Sequence, residues 1–238
     1  MNIALIGYGK MGKAIEDIAI ANGHSILFKF DIGNQTEFTV NNLQQCDVAI
    51  EFTSPHSAVN NLKKCFDAGV PVVCGSTGWL AHWDEIVSYC TAKNAALVYA
   101  SNYSIGVNLF FELNTYLATL MNKHTNYDVM LEEIHHTEKK DAPSGTAITL
   151  AEQILHNMTN KKTWVTNQNN NPEELVIISK RIDPAPGTHK ITYHSPIDDI
   201  EITHTAHNRM GFAGGAVLAA AFIVGKKGVY NMKQVLGL

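Results

Sequence analysis

A short apolar run, residues 2–6, leads directly into Gly7-Tyr8-Gly9-Lys10-Met11-Gly12, and helical spacing of Ala14, Ile15, Ile18, Ala19 and Ala21 follows. A glycine pattern between a strand and a helix leaves few folds open. The first glycine of G-x-G-x-x-G permits a tight turn, the second lets backbone approach a pyrophosphate, and the third brings helix against strand. The next apolar run, residues 25–30, ends at Asp31, close to the roughly 20-residue spacing at which an acid meets an adenosine ribose. A dinucleotide site is expected from Gly7, Tyr8, Gly9, Lys10, Met11, Gly12 and Asp31.

Alternation continues beyond Asp31. Apolar runs at 48–52, 70–74 and 95–99 are separated by helical patterns at 57–68 and 83–93. Such alternation predicts a Rossmann-type, doubly wound parallel sheet of an α/β protein. Turns at the ends of two of these runs, Gly75-Ser76-Thr77 and Ala100-Ser101-Asn102-Tyr103, stand where α/β sheets bind ligands, and they are candidates for the nicotinamide end of the site.

After Asn102 the texture changes. A helix is expected over 106–121, a strand over 127–134 and a helix over 146–157; further strands are expected over 176–181, 187–195 and 199–207, with a polar loop at 166–174. This order predicts a second α+β domain with a mixed or antiparallel sheet, spanning 105–212. An alanine-rich apolar helix, 213–224, is expected to return to the first domain, 1–104, and complete it.

Charge and cysteine content exclude several classes of function. Eighteen basic residues in 238, spread along the chain with a net charge of −4, give no footprint for nucleic acid. The longest apolar run falls well short of the roughly 20 residues that span a bilayer, and the amino terminus does not read as a signal peptide. Cys46, Cys65, Cys74 and Cys90 lack C-x-x-C spacing and read as buried thiols of a cytoplasmic protein.

The densest chemistry lies in residues 132–147, EEIHHTEKKDAPSGTA. His135, His136, Lys139 and Lys140 precede a turn in which Pro143 and Ser144 suit the first helical positions and Gly145 admits a ligand to the backbone. Proton donors therefore stand beside an anion cradle. His189, His194, His204 and His207 follow no metal-ligand spacing and read as surface or packed residues, so no metal is expected, while Arg209 is expected to help bind substrate or orient its loop rather than to act in catalysis.

Together with GSTG at 75–78, SNYSIGVN at 101–108 and HNRMGFAGGA at 207–216, this segment resembles the dihydrodipicolinate reductase family. The resemblance implies hydride transfer from NADH or NADPH to a cyclic, imine-type dicarboxylate in lysine and diaminopimelate synthesis, by a homotetramer. It implies His135 as proton donor, Lys139 as its partnering acid, His136 as a substrate-binding residue, and Gly145 with Thr146 as the pair holding a carboxylate.

Two departures from the family pattern bear on the cofactor. The first two glycines are one residue closer than is common, and Ile32 stands where many members place an arginine suited to a 2′-phosphate. NADH is therefore expected to serve at least as well as NADPH, although Lys10 or Lys29 could meet that phosphate. The competing readings are a semialdehyde dehydrogenase using Cys74 as nucleophile and a non-enzymatic dinucleotide sensor.

Overall fold

The structure, a computed structural model, describes residues 1–167 and 171–238. The chain separates into two compact units, one of Met1–Ile105 with Arg209–Leu238 and the other of Gly106–Asn208.

In the first unit the order is β1 (Asn2–Ile6), α1 (Lys10–Ala21), β2 (Ser25–Phe30), α2 (Val40–Leu43), β3 (Val48–Glu51), α3 (Pro55–Asp67), β4 (Val72–Cys74), α4 (Trp83–Ala92) and β5 (Ala96–Tyr99). The strands β1 to β5 all pair in parallel, and β1, β3, β4 and β5 are buried along almost their whole length. Continuous apolar runs are what strands need when helices cover both faces of a sheet. In β2 exposed and half-buried residues alternate as far as Phe30, as befits an edge strand.

The second unit contains α5 (Ile105–Met121, entering from the first), β6 (Asp128–His135), α6 (Gly145–Asn157), β7 (Thr163–Val165), β8 (Glu174–Arg181), β9 (Gly187–His194) and β10 (Asp199–Ala206). Its strand order is β10-β9-β6-β8-β7. The pairs β6–β8 and β7–β8 are parallel, whereas β6–β9 and β9–β10 are antiparallel, so this sheet is mixed as expected. Period-2 alternation on β6 buries Val129, Leu131, Glu133 and His135 on one face. Val129 and Leu131 join Leu150, Ala151 and Ile154 of α6 in the core. The two polar residues occupy the last turns of that same inward row.

The chain then returns to the first unit through α7 (Met210–Ile223), β11 (Gly228–Tyr230) and α8 (Met232–Leu236). Strand β11 pairs in parallel with β5, giving a six-stranded sheet in the order β11-β5-β4-β3-β1-β2. Helix α7 packs Ala213, Ala216, Val217, Ala219, Ala220 and Ile223 into the first unit's core with Ile3, Leu5 and Ile15, while apolar Met210 and Leu218 stay exposed on its other side. It opens at Met210, three residues before Ala213.

Other local expectations needed correction. A 3-10 stretch, Ile32–Glu37, and α2 occupy the interval between β2 and β3, for which no element is expected from apolar periodicity, because Asp31 and Thr39 supply side-chain caps that such a pattern does not show. The short strands β7 and β11 are visible only through their pairing partners. Pro143 lies outside α6: Ser144 is the cap and Gly145 the first helical residue. Of the polar loop at 166–174, residues 168–170 lie outside the described residues. Among the described residues no helix is long and apolar enough to cross a membrane.

Candidate active site

At the end of β1 the glycine turn has the steric form its sequence implies. Gly7 adopts φ +92°, and a Cβ there would lie 2.1 Å from the Phe52 carbonyl oxygen; at Gly12 it would lie 2.4 Å from the Gly7 oxygen. Both positions exclude any side chain. At Gly9, by contrast, nothing lies within 4 Å of where a Cβ would stand, which leaves room for a ligand against the backbone. Gly9 caps α1 without a side-chain hydrogen bond, so the positive end of the helix is not neutralised there.

Two cavities flank this turn. One, of about 310 Å³, is lined by Tyr8, Asp31, Ile32, Phe38, Thr53 and Asn61 among others. The second, of about 340 Å³, is bordered by Lys10, Met11, Gly12, Gly75, Ser76 and Thr77. They lie where strand order reverses, with β2 on one side of β1 and β3 on the other. Crevices at this switch point are the usual nucleotide sites of doubly wound sheets.

Asp31 uses Oδ1 to accept the Ile32 amide at 2.8 Å, while its own amide donates to Asn34 Oδ1 at 2.7 Å. Lys29 is committed elsewhere: its Nζ lies 2.6 Å from Glu16 Oε1, and Tyr8 donates to the same carboxylate. Hydrogen bonds from Lys29 and then Tyr8 hold the Glu16 carboxyl below its ordinary value, and Glu16 in turn raises Lys29.

The remaining candidates in this unit divide. Gly75, Ser76 and Thr77 all border a cavity, and Ser76 is held largely buried there, accepting the Thr53 amide at 2.8 Å on Oγ and the Trp79 indole N–H at 2.8 Å on its carbonyl. The Tyr103 ring is core, and its hydroxyl lies 2.8 Å from the Cys74 oxygen and 3.0 Å from that of Val98. A residue after a strand end reads as exposed, but this ring turns back under the sheet. Asn102 accepts the Ser104 amide at 2.9 Å. Ala100, Ser101, Asn102 and Tyr103 border neither cavity.

Cys74 is no nucleophile. It is fully buried 3.2 Å from Glu51 Oε2, and burial followed by the Glu51 charge pushes its thiol well above the ordinary range. The semialdehyde dehydrogenase reading loses its key residue.

In the second unit a polar cluster closes the inward row of β6. His135 Nδ1 lies 3.2 Å from Glu133 Oε2. The other carboxylate oxygen, Oε1, accepts the Ser144 amide at 3.1 Å and the Arg181 guanidinium at 3.2 Å. Burial alone would raise the Glu133 carboxyl, but hydrogen bonds from His135 and Ser144 outweigh it and hold the group well below the carboxylate range. Arg181 also donates to the carbonyls of Lys139 and Asp141, which pins the loop between β6 and α6.

Lys139 Nζ stands 2.7 Å from both oxygens of Asp141. Thr137 binds Asp183 through its amide and hydroxyl, at 3.1 and 2.6 Å, fixing the chain beside His136. At the mouth of α6, Ser144 Oγ accepts the Ala147 amide at 3.2 Å. Gly145 and Thr146 hold the first two helical positions, where amides have no acceptor within the helix. Around Gly145 a Cβ would meet nothing within 4 Å.

Glu133, Arg181 and His189 are the site residues that motif reading missed. Glu133 and His135 are two apart on a strand, so they share a face, and that signal was available in EEIHH. The other two are set by pairing: His189 stands opposite Glu133 in β9, and Arg181 opposite His135 in β8. His189 Nε2 lies 3.3 Å from Ser144 Oγ. Burial, with a smaller contribution from His135, lowers its pKa to about 3. His204 instead packs beside Phe110, and exposed His194 pairs with Asp199 at 2.5 Å.

Ligand-type atoms of Glu133, His135 and His189 lie within 4.8 Å of one another, a spacing a divalent cation could use. The Arg181 guanidinium on the same carboxylate sets positive charge against such an ion and favours acid–base work.

Family models agree with these features along the chain. Residues 1–103 match the model described as dihydrodipicolinate reductase, N-terminus, and residues 106–236 the C-terminus. A 4-hydroxy-tetrahydrodipicolinate reductase of Christiangramia forsetii is 48% identical over 99% of this chain and 98% of its own. One from Acinetobacter baumannii is 38% identical over 82% of this chain and 74% of its own. Among solved structures, a dipicolinate-bound dihydrodipicolinate reductase from Paenisporosarcina superposes with a TM-score of 0.74 at 20% identity, covering 97% of each chain. With both halves matched and nearly half of all positions shared with a full-length relative, this chain belongs to the dihydrodipicolinate reductase family.

Proposed function

We propose that the chain is a 4-hydroxy-tetrahydrodipicolinate reductase, using a reduced pyridine nucleotide to convert a cyclic imine-type dicarboxylate to tetrahydrodipicolinate. The observation that carries this reading is a buried histidine paired with a carboxylate, beside a capped helix mouth that presents Gly145 and Thr146. When bound, the nicotinamide supplies a hydride to a ring carbon of the conjugated imine.

His135 then gives the proton that meets the displaced electron pair, so that one hydride and one proton are added for each nucleotide oxidised. Lys139 supplies a fixed positive charge beside the reacting ring. His136 and the first amides of α6 hold carboxylates, by charge and by the helix dipole. In the first unit, Gly9 accommodates the pyrophosphate and Asp31 receives the adenosine ribose. Met11 and Thr77 line the continuing groove.

NADH serves at least as well as NADPH in this reading. Asp31 repels a 2′-phosphate, Ile32 offers it no donor, and Lys29 is held by Glu16. Family resemblance supports a homotetramer, and four free, buried cysteines support a cytoplasmic setting. The test is oxidation of NADH and of NADPH in the presence of the condensation product of pyruvate and aspartate semialdehyde. No oxidation of either would sink the function, and a hundredfold better kcat/KM with NADPH would reverse the cofactor assignment.

A further inference from the structure

We propose that Glu133 is the positioning residue of this reduction: its buried carboxylate fixes the His135 ring through Nδ1 and, with its other oxygen, holds the cap of α6. Acid and carboxylate cradle thereby keep one relative geometry. The inference rests on the reading of His135 as proton donor.

The division of labour between the two oxygens carries the argument. Oε2 lies 3.2 Å from His135 Nδ1; both atoms are buried, and among the described residues this close polar contact is not a hydrogen bond of regular geometry and neither atom makes one with any other group. Oε1 accepts from the Ser144 amide and from Arg181. Glu133 has no exposed surface, so water does not compete for either oxygen. An ionised carboxylate only accepts hydrogen bonds, so it keeps a proton on Nδ1 and leaves Nε2 to exchange one with substrate. Nε2 borders Gly187, where a Cβ would stand only 3.1 Å away. Gly187 therefore puts no side chain against that edge of the ring.

The charged and titratable groups facing His135 come from every surrounding element. Glu133 lies on its own strand, Arg181 on β8, His189 on β9 and Lys139 in the following loop. Glu133 accepts hydrogen bonds from the Ser144 amide and from Arg181 on one oxygen while the other lies against His135. His189, low in pKa through burial, stays neutral beside the ring and adds no charge that would oppose a protonated His135.

The test is made on the full-length protein. Long-range proton–nitrogen correlation with labelled histidine should show neutral His135 carrying its proton on Nδ1. Glu133→Gln should lose that preference, lower kcat by about a hundredfold and raise KM for the dicarboxylate several-fold, with NADH affinity unchanged. Glu133→Asp should recover part of kcat, which a merely space-filling role would not predict. A proton on Nε2 in the wild type overturns the inference, and so does a folded Glu133→Gln enzyme with wild-type kcat and KM. If that variant fails to fold, the wild-type tautomer alone decides. Full turnover in His135→Gln would instead overturn the role of His135, whereas an inactive His135→Gln beside an unimpaired Glu133→Gln sinks only this inference.

Discussion

Glu133 of β6 and His189 of β9 stand directly opposite each other in the antiparallel pair, with Oε2 3.9 Å from Nε2. The strand register thus places a buried base against a buried acid. Both groups have lowered pKa values, and both make stability fall with acid. For His189 the folded value is about 3 against an ordinary 6.5, so its contribution is complete above pH 6.5 and is lost progressively towards pH 3. Glu133 adds to the loss below its ordinary value of 4.5. Thermal unfolding of the wild type should therefore worsen from pH 6.5 downward. His189→Gln should flatten the curve between pH 6.5 and 4.5, and an unchanged slope there would reject the neutral, buried His189.

Gly9 and Gly12 make a paired test of the nucleotide turn. A methyl at Gly12 meets the Gly7 carbonyl oxygen, so Gly12→Ala should cost about 1–3 kcal/mol of stability as well as NADH binding. Gly9→Ala meets open space and should leave stability within about 0.5 kcal/mol of wild type while raising the NADH dissociation constant. Calorimetry of both variants, unliganded and titrated with NADH, separates fold from site; wild-type affinity in Gly9→Ala would remove the pyrophosphate from that turn.

Ile32 lies beside Asp31 on the cavity wall and is 88% exposed. Ile32→Arg adds a guanidinium without displacing any core packing, and a charge-assisted contact to a 2′-phosphate contributes about 1.4 kcal/mol or more. The ratio of kcat/KM for NADPH over NADH should rise about tenfold. An unchanged ratio would place the 2′-position away from Ile32.

Tyr103 is assigned to the core rather than to the ligand. Tyr103→Phe removes the hydroxyl shared between the Cys74 and Val98 carbonyls and should cost about 1 kcal/mol of stability. KM for NADH should not move. A several-fold rise in that KM with unaltered stability would return the side chain to the cofactor site.

Much of the fold was legible because its causes are local. Strands β1, β3, β4 and β5 announce themselves as apolar runs, and α1, α3 and α4 as helical spacing between them. The glycine turn was legible for the same reason: Gly7 and Gly12 are dictated by backbone contacts a few residues away or on the adjoining strand. Strands β7 and β11, three residues each, carry too little sequence to show a period. They exist because β8 and β5 offer edges to pair with.

The candidate site divides along the same line. Sequence alone singled out the glycine turn, Asp31, His135, Lys139, Gly145 and Thr146 as candidates, because each reading rests on neighbours close in the chain, whereas only the structure makes Ser144 the cap of α6. Tertiary structure alone decided that Glu133 would meet His189 and Arg181, that Tyr103 would enter the core, and that Lys29 would be spent on Glu16. Those outcomes depend on which strands pair and in what register. A shift of one residue would carry Glu133 and His135 to the opposite face of the sheet.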